Sequence, residues 1–347
     1  MNRTGRSWRI PGARKLLPSS AVLAAIGVTG IGLTVAGCGG AGSPAVNPPP
    51  ASAHTAAERA AVTNWLVQTN QMWAYNDFAA VDQVTTGQMR TIYLAEESQA
   101  SLPKSADRVG FQLTGLSITI PCHTGRPAAF VAYGDTNVFD LGTGMQSVAM
   151  VFERSGGRWK LATAVDHPDG AGWPALCTQG TPPPDPAVLA AGTYAPDLAR
   201  VLTNAMTGTE QTTRTAAPFA VNDFLAGSGS ITVQSATSIR QDRRDGVSLT
   251  GRFTLTPDPT VALPLADGRG YWLIGILTQS DTYSAPSGVR ANDWPDGNQV
   301  ATPRPAVVHH ESDTFITTYT AIDPPRTANA TVALDGFFGW PLSARAS

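Results

Sequence analysis

The apolar positions recur first at helical spacing and then, further along, at every second residue. Between residues 55 and 75, Val62, Trp65, Leu66, Met72 and Trp73 fall on one stripe, which predicts an amphipathic helix. Asn76-Asp77 breaks the stripe and can cap a second helix carrying Phe78, Val81, Met89, Ile92 and Tyr93. The Trp and Met side chains of both stripes read as core. Residues 111–122 alternate but change phase at Gly115, which predicts a strand with a bulge. Residues 128–135 form a second strand, and 145–154 and 158–166 flank Ser155-Gly156-Gly157 as a hairpin.

A Pro-rich stretch at 178–186, containing Thr181-Pro182-Pro183-Pro184, reads as a linker. Beyond it the order partly repeats. Leu198, Val201, Leu202 and Ala205 are helically spaced in 196–207, and a weaker helical stretch ends near Phe224. Strands are predicted at 231–240, 247–256, 271–279, 313–321 and 331–340. Turns fall at Arg244-Asp245-Gly246 and Asp267-Gly268. The segment 284–305 reads as a long Pro/Gly/Asn-rich loop, of a length that is often functional. The expected fold is α+β, with two tandem domains at 55–177 and 187–347, each packing helices on a curved antiparallel sheet.

Composition adds the address. The chain has 347 residues, 24 basic and 26 acidic side chains, and 42% hydrophobic residues, enough for a core of about two domains. Arg3, Arg6, Arg9, Arg14 and Lys15 are the only Lys, Arg, Asp or Glu residues in the first 57, and an Ala/Gly/Val-rich run follows at 16–36. A positive start before a short apolar segment is the pattern of an export signal. Val35-Ala36-Gly37-Cys38 resembles the lipobox of bacterial, actinobacterial-type surface lipoproteins. That resemblance implies cleavage after residue 37, a diacylglyceryl and palmitate anchor on Cys38, and a place on the cell membrane facing the extracytoplasmic space. The rival is an uncleaved anchor helix, but the run is Gly-rich and short for a span, which needs about 20 apolar residues. Residues 38–54 then form the lipidated Cys and a Gly/Pro/Ala tether, which reaches up to roughly 50 Å if extended. Cleavage moves the formal charge from −2 to −7. An acidic ectodomain has no general attraction to nucleic acid, whose affinity rests on Lys and Arg.

With Cys38 on the lipid, Cys122 and Cys177 remain, and an exported pair is most simply a disulfide; two buried thiols are the alternative. The order helix, Tyr75-Asn76-Asp77-Phe78, helix, then strands ending in Val151-Phe152-Glu153-Arg154-Ser155-Gly156-Gly157-Arg158-Trp159-Lys160-Leu161, resembles the NTF2-like (SnoaL-type) α+β fold over about residues 56–168. The resemblance implies a cone with a pocket. Enzymes of that superfamily place an Asp or His base in the cone, which marks Tyr133, Asp166 and His167 as possible pocket residues, with Asp77 more simply a helix cap.

Recognisable catalytic motifs are missing: the sequence holds no GxSxG elbow, Walker loop, strand-borne GxGxxG or HExxH. His309-His310-Glu311-Ser312-Asp313 would place one imidazole and two carboxylates on one face of a strand, although a solvated edge strand explains the charges as well. Neither this run nor Asp293-Trp294-Pro295-Asp296-Gly297-Asn298 reads as a metal site, and no cofactor is expected. Trp294 is a possible contact residue in the long loop. These features favour a non-catalytic module that binds an envelope protein or glycan. The alternatives are a metal-free SnoaL-type enzyme with an Asp or His base, and a scaffold or spacer.

Overall fold

The computed structural model describes residues 54–75, 77–99, 110–122, 129–137, 145–166, 172–178, 184, 199–200, 203, 242–255, 261–291, 305–325 and 332–347. The fold is mixed and mostly strand, with curled antiparallel sheets that form a half-barrel. Cys38, the predicted strand at 231–240, the second helical stretch and Trp294 lie outside the described residues.

Helix α1 spans His54–Tyr75. Val62, Trp65, Thr69 and Met72 are buried at spacings of three or four residues, which gives it one core face. The predicted second helix is two helices, α2 (Val81–Val84) and α3 (Gly87–Gln99). The break has a tertiary cause. Thr85 forms a parallel bridge with Leu161, and the Thr86 N–H donates to the Leu161 carbonyl at 2.9 Å. A backbone that satisfies a neighbouring strand cannot continue its own helical ladder. Asp77 does not cap a helix. Its Oδ1 accepts from the Ala79 N–H at 3.0 Å, a local Asx turn, and Ala80 is the N-cap of α2.

The first sheet is a meander of β1 (Leu113–Thr119), β2 (Ala129–Thr136), β3 (Gln146–Ser155) and β4 (Arg158–Asp166). The bulge expected at Gly115 is there: the register shifts between Thr114 and Ser117, and Gly115 has φ +64°. Gly156 and Gly157 both have positive φ, as a two-residue hairpin turn requires. Asn70 ties α1 to the approach of β1, donating to the Phe111 carbonyl and accepting from the Phe111 N–H.

The second sheet runs β5 (Ser248–Leu255), β7 (Tyr271–Arg290), β8 (Val307–Asp323) and β9 (Ala333–Ala346), with β6 (Val261–Pro264) also pairing to β7. Its long strands correct the sequence reading. Residues 284–290 belong to β7, because a bulge between Ser284 and Val289 takes up Pro286 and Gly288 and the ladder resumes at Val289. The later part of the expected loop, 292–304, lies outside the described residues. Strand β9 likewise continues through Pro341, beside a register shift at Thr314/Phe315.

Both faces of the first sheet are covered. Phe130, Ala132, Val148, Met150 and Phe152 pack under the helices with Trp65, Met72 and Met89. Val131, Ala149, Val151 and Val165 pack instead against Leu263, Trp272 and Ile274 of the second sheet. Ile276, Ile316 and Trp340 carry the second sheet round to the helix side. A third core, with Leu273, Leu277, Tyr319, Ala321 and Leu334, fills the other face of the second sheet. The predicted disulfide joins Cys122 to Cys177. The Cys177 N–H donates to the Pro264 carbonyl at 2.7 Å, and Leu176 bridges Leu265, so the strip at 172–178 stitches the first sheet to β6.

Candidate functional site

The resemblance placed a pocket between the helices and the first sheet. In the described residues that space is filled. Phe130 and Phe152 stack at 4.8 Å, and Trp65 meets Phe152 edge-on at 6.2 Å. Thr69 and Tyr93 join hydroxyls across α1 and α3 at 3.3 Å. Gln88, on α3 and buried, accepts from the Thr163 hydroxyl and donates to Thr318 on β8, a polar bridge through an apolar core.

Tyr133 lies on the opposite face of the sheet, beside Val131 and the second sheet. Alternation puts it there, since successive strand residues point to opposite faces and Ala132 belongs to the helix side. Its ring is 5.6 Å from Trp173, which is 5.8 Å from Trp272. The Trp173 Nε1 donates to the Ser147 hydroxyl at 3.2 Å. The three rings form a seam between the sheets. Trp272 is fully buried, whereas Tyr133 and Trp173 are partly exposed. Among the described residues, the buried Tyr133 hydroxyl has no hydrogen-bond partner, and the same holds for the Trp272 Nε1. Burial pushes the Tyr133 phenol well above its ordinary value, so the hydroxyl stays protonated and able to donate. The backbone of Asp166 ends β4 opposite Val148; its side chain and His167 lie outside the described residues.

The His309 to Asp313 run is not a solvated edge strand. Strand β8 is paired on both sides, to β7 and β9, and Glu311 and Asp313 are each 1% exposed. His309 and His310 are exposed. Among the described residues no group of three His, Cys, Asp or Glu is placed to hold a metal ion. The carboxylates face inward with Asp242, Gln279, Asp281 and Tyr283, all buried. Sequence reasoning missed this row. Its one visible signal is that Gln279, Asp281 and Tyr283 repeat on alternate positions of β7, as Glu311 and Asp313 do on β8.

No family model, no curated protein and no solved structure matches this chain.

Proposed function

We propose that the protein is a lipid-anchored extracytoplasmic module that binds an envelope glycan at the aromatic seam of Tyr133, Trp173 and Trp272. The observation that carries the reading is the half-buried Trp173 ring laid beside Tyr133, whose buried hydroxyl has no partner among the described residues. A sugar offers a flat CH face to an indole and hydroxyls to a phenol, so it matches both. A ligand entering beneath Trp173 would satisfy the Tyr133 hydroxyl, a group that otherwise stays buried at a cost. The lipobox-like Val35-Ala36-Gly37-Cys38 supports the anchor, and a fold built on tandem NTF2-like units remains the finer reading of the architecture. The packed helix side of the first sheet favours surface recognition over chemistry in a cone.

Titrating the full chain with soluble cell-wall glycan fragments, while following tryptophan fluorescence, tests the reading. Saturable quenching that Trp173→Ala abolishes is expected, together with loss of the protein from the membrane fraction in Cys38→Ala. Equal responses from wild type and Trp173→Ala would remove the seam as the site.

A further inference from the structure

In the ladder between β7 and β8, Asp281 stands directly opposite Asp313, and Tyr283 opposite Glu311. Opposed residues on one face of an antiparallel pair have Cβ atoms roughly 5 Å apart. Asp281 is 2% exposed and Asp313 1%. Two carboxylates so close, with water excluded, strongly resist carrying two negative charges. The neighbouring strands bring no counter-charge at these positions. Gly251 and Leu249 of β5 lie opposite Asp281 and Tyr283, and Ala344 and Ala346 of β9 lie opposite Asp313 and Glu311. Among the described residues, Asp281, Asp313, Asp242 and Glu311 are the charged side chains that act on Tyr283 in this row. Asp242, Tyr283, Glu311 and Asp313 make further interactions within the fold. Asp281 is matched on one side only among the described residues: its Oδ2 accepts from the Gln279 Nε2 at 2.8 Å, while its buried Oδ1 has no partner there.

We propose that Asp281 is a proton-operated latch, which when protonated donates a hydrogen bond toward the Asp313 carboxylate and closes this end of the β7–β8 ladder. Losing the proton puts a negative charge into the buried row of acidic side chains and loosens that end. Burial pushes the Asp281 carboxyl up to about 7, against the opposing effect of the Gln279 hydrogen bond. An acid raised in the folded state binds its proton more tightly there than in the open state. The stability it contributes is therefore full below the ordinary carboxylate range, near pH 4, and is lost as pH rises through about 7.

Hydrogen exchange of the full chain, read by mass spectrometry and corrected for the pH dependence of intrinsic exchange, tests the latch. The opening constant of peptides covering 279–284 and 310–314 should rise about tenfold per pH unit from about pH 4 to about pH 7, then level off. Peptides covering 271–276 should not follow that profile. Asp281→Asn should abolish the slope. Gln279→Leu, which removes the donor that favours the charged carboxyl, should shift the levelling point to higher pH, and it serves as the readout should Asp281→Asn fail to fold. A flat wild-type profile, a slope that survives Asp281→Asn, or a shift to lower pH in Gln279→Leu would overturn the proposal.

Discussion

Gly275 on β7 lies directly opposite Tyr319 on β8, and the Tyr319 ring covers it. A Cβ added at Gly275 would sit 2.0 Å from the Tyr319 Cζ, 2.1 Å from its hydroxyl and 2.4 Å from Cε1. Carbon atoms pack at about 3.5–4 Å, so the ring would have to retreat by roughly 1.5 Å. It has nowhere to go, because Tyr319 is fully buried among Leu273, Leu277, Ala321 and Leu334. Overpacking of this kind costs about 1–3 kcal/mol, and a ring driven out of its site costs about 3–5. Alanine recovers about 0.5–1 kcal/mol of the backbone entropy that glycine loses on folding, too little to compensate. Gly275→Ala should therefore lose about 3 kcal/mol in urea unfolding, seen as a lower midpoint at unchanged slope. The double variant Gly275→Ala/Tyr319→Ala should be no less stable than Tyr319→Ala alone, a coupling of about 3 kcal/mol in favour of the pair. A stable Gly275→Ala protein, or strictly additive losses, would refute the ring-over-glycine account.

Three further outcomes are expected. Replacing Cys122 and Cys177 by Ser should lower stability by about 4 kcal/mol, the loop-closure value for a separation of 55 residues, measured by denaturant unfolding against the oxidised wild type. Gln88→Leu should cost about 2–3 kcal/mol, because the buried Thr163 and Thr318 hydroxyls lose their shared partner; Gln88→Glu, which offers an acceptor oxygen to each hydroxyl but buries a carboxylate, should recover only part of the thermal midpoint. Arg90→Ala should leave that midpoint unchanged, since the Arg90–Asp82 pair is exposed; its readout is the Asp82 carboxyl, held low chiefly by the Arg90 hydrogen bond and rising toward the ordinary range in an NMR titration.

Much of the first half was legible in the sequence because its signals are local. The stripe of α1, the phase shift at Gly115 and the paired glycines of the β3–β4 turn each depend on a few neighbouring residues. The division of the second helix was not legible, because the partner of Thr85 and Thr86 is Leu161, far along the chain. The reach of β7 and β8 was hidden by Pro286 and Gly288, which ordinarily end strands and here sit inside a bulge. The face of Tyr133 was ambiguous because β2 and β3 are apolar on both sides. The run from Val148 to Phe152, buried throughout, is itself the mark of a strand covered twice, a signal that the reading of 145–154 as a hairpin arm did not use. Glu311 and Asp313 carry charges that ordinarily signal solvent, and only the pairing of β8 on both edges shows otherwise.

The shared face of the first sheet also bears on how the chain can be divided. Val131, Ala149, Val151 and Val165 have water on them only if Leu263, Trp272 and Ile274 are missing. A chain stopped within 178–186 keeps its helices, its meander and its disulfide, yet presents a bare apolar sheet face next to the open aromatic edge of Tyr133 and Trp173. Such a fragment should self-associate when made alone and be rescued by co-expression of the remainder, as a split protein is. The packing of Val131, Ala149, Val151 and Val165 on Leu263, Trp272 and Ile274 couples the segments on either side of residues 178–186.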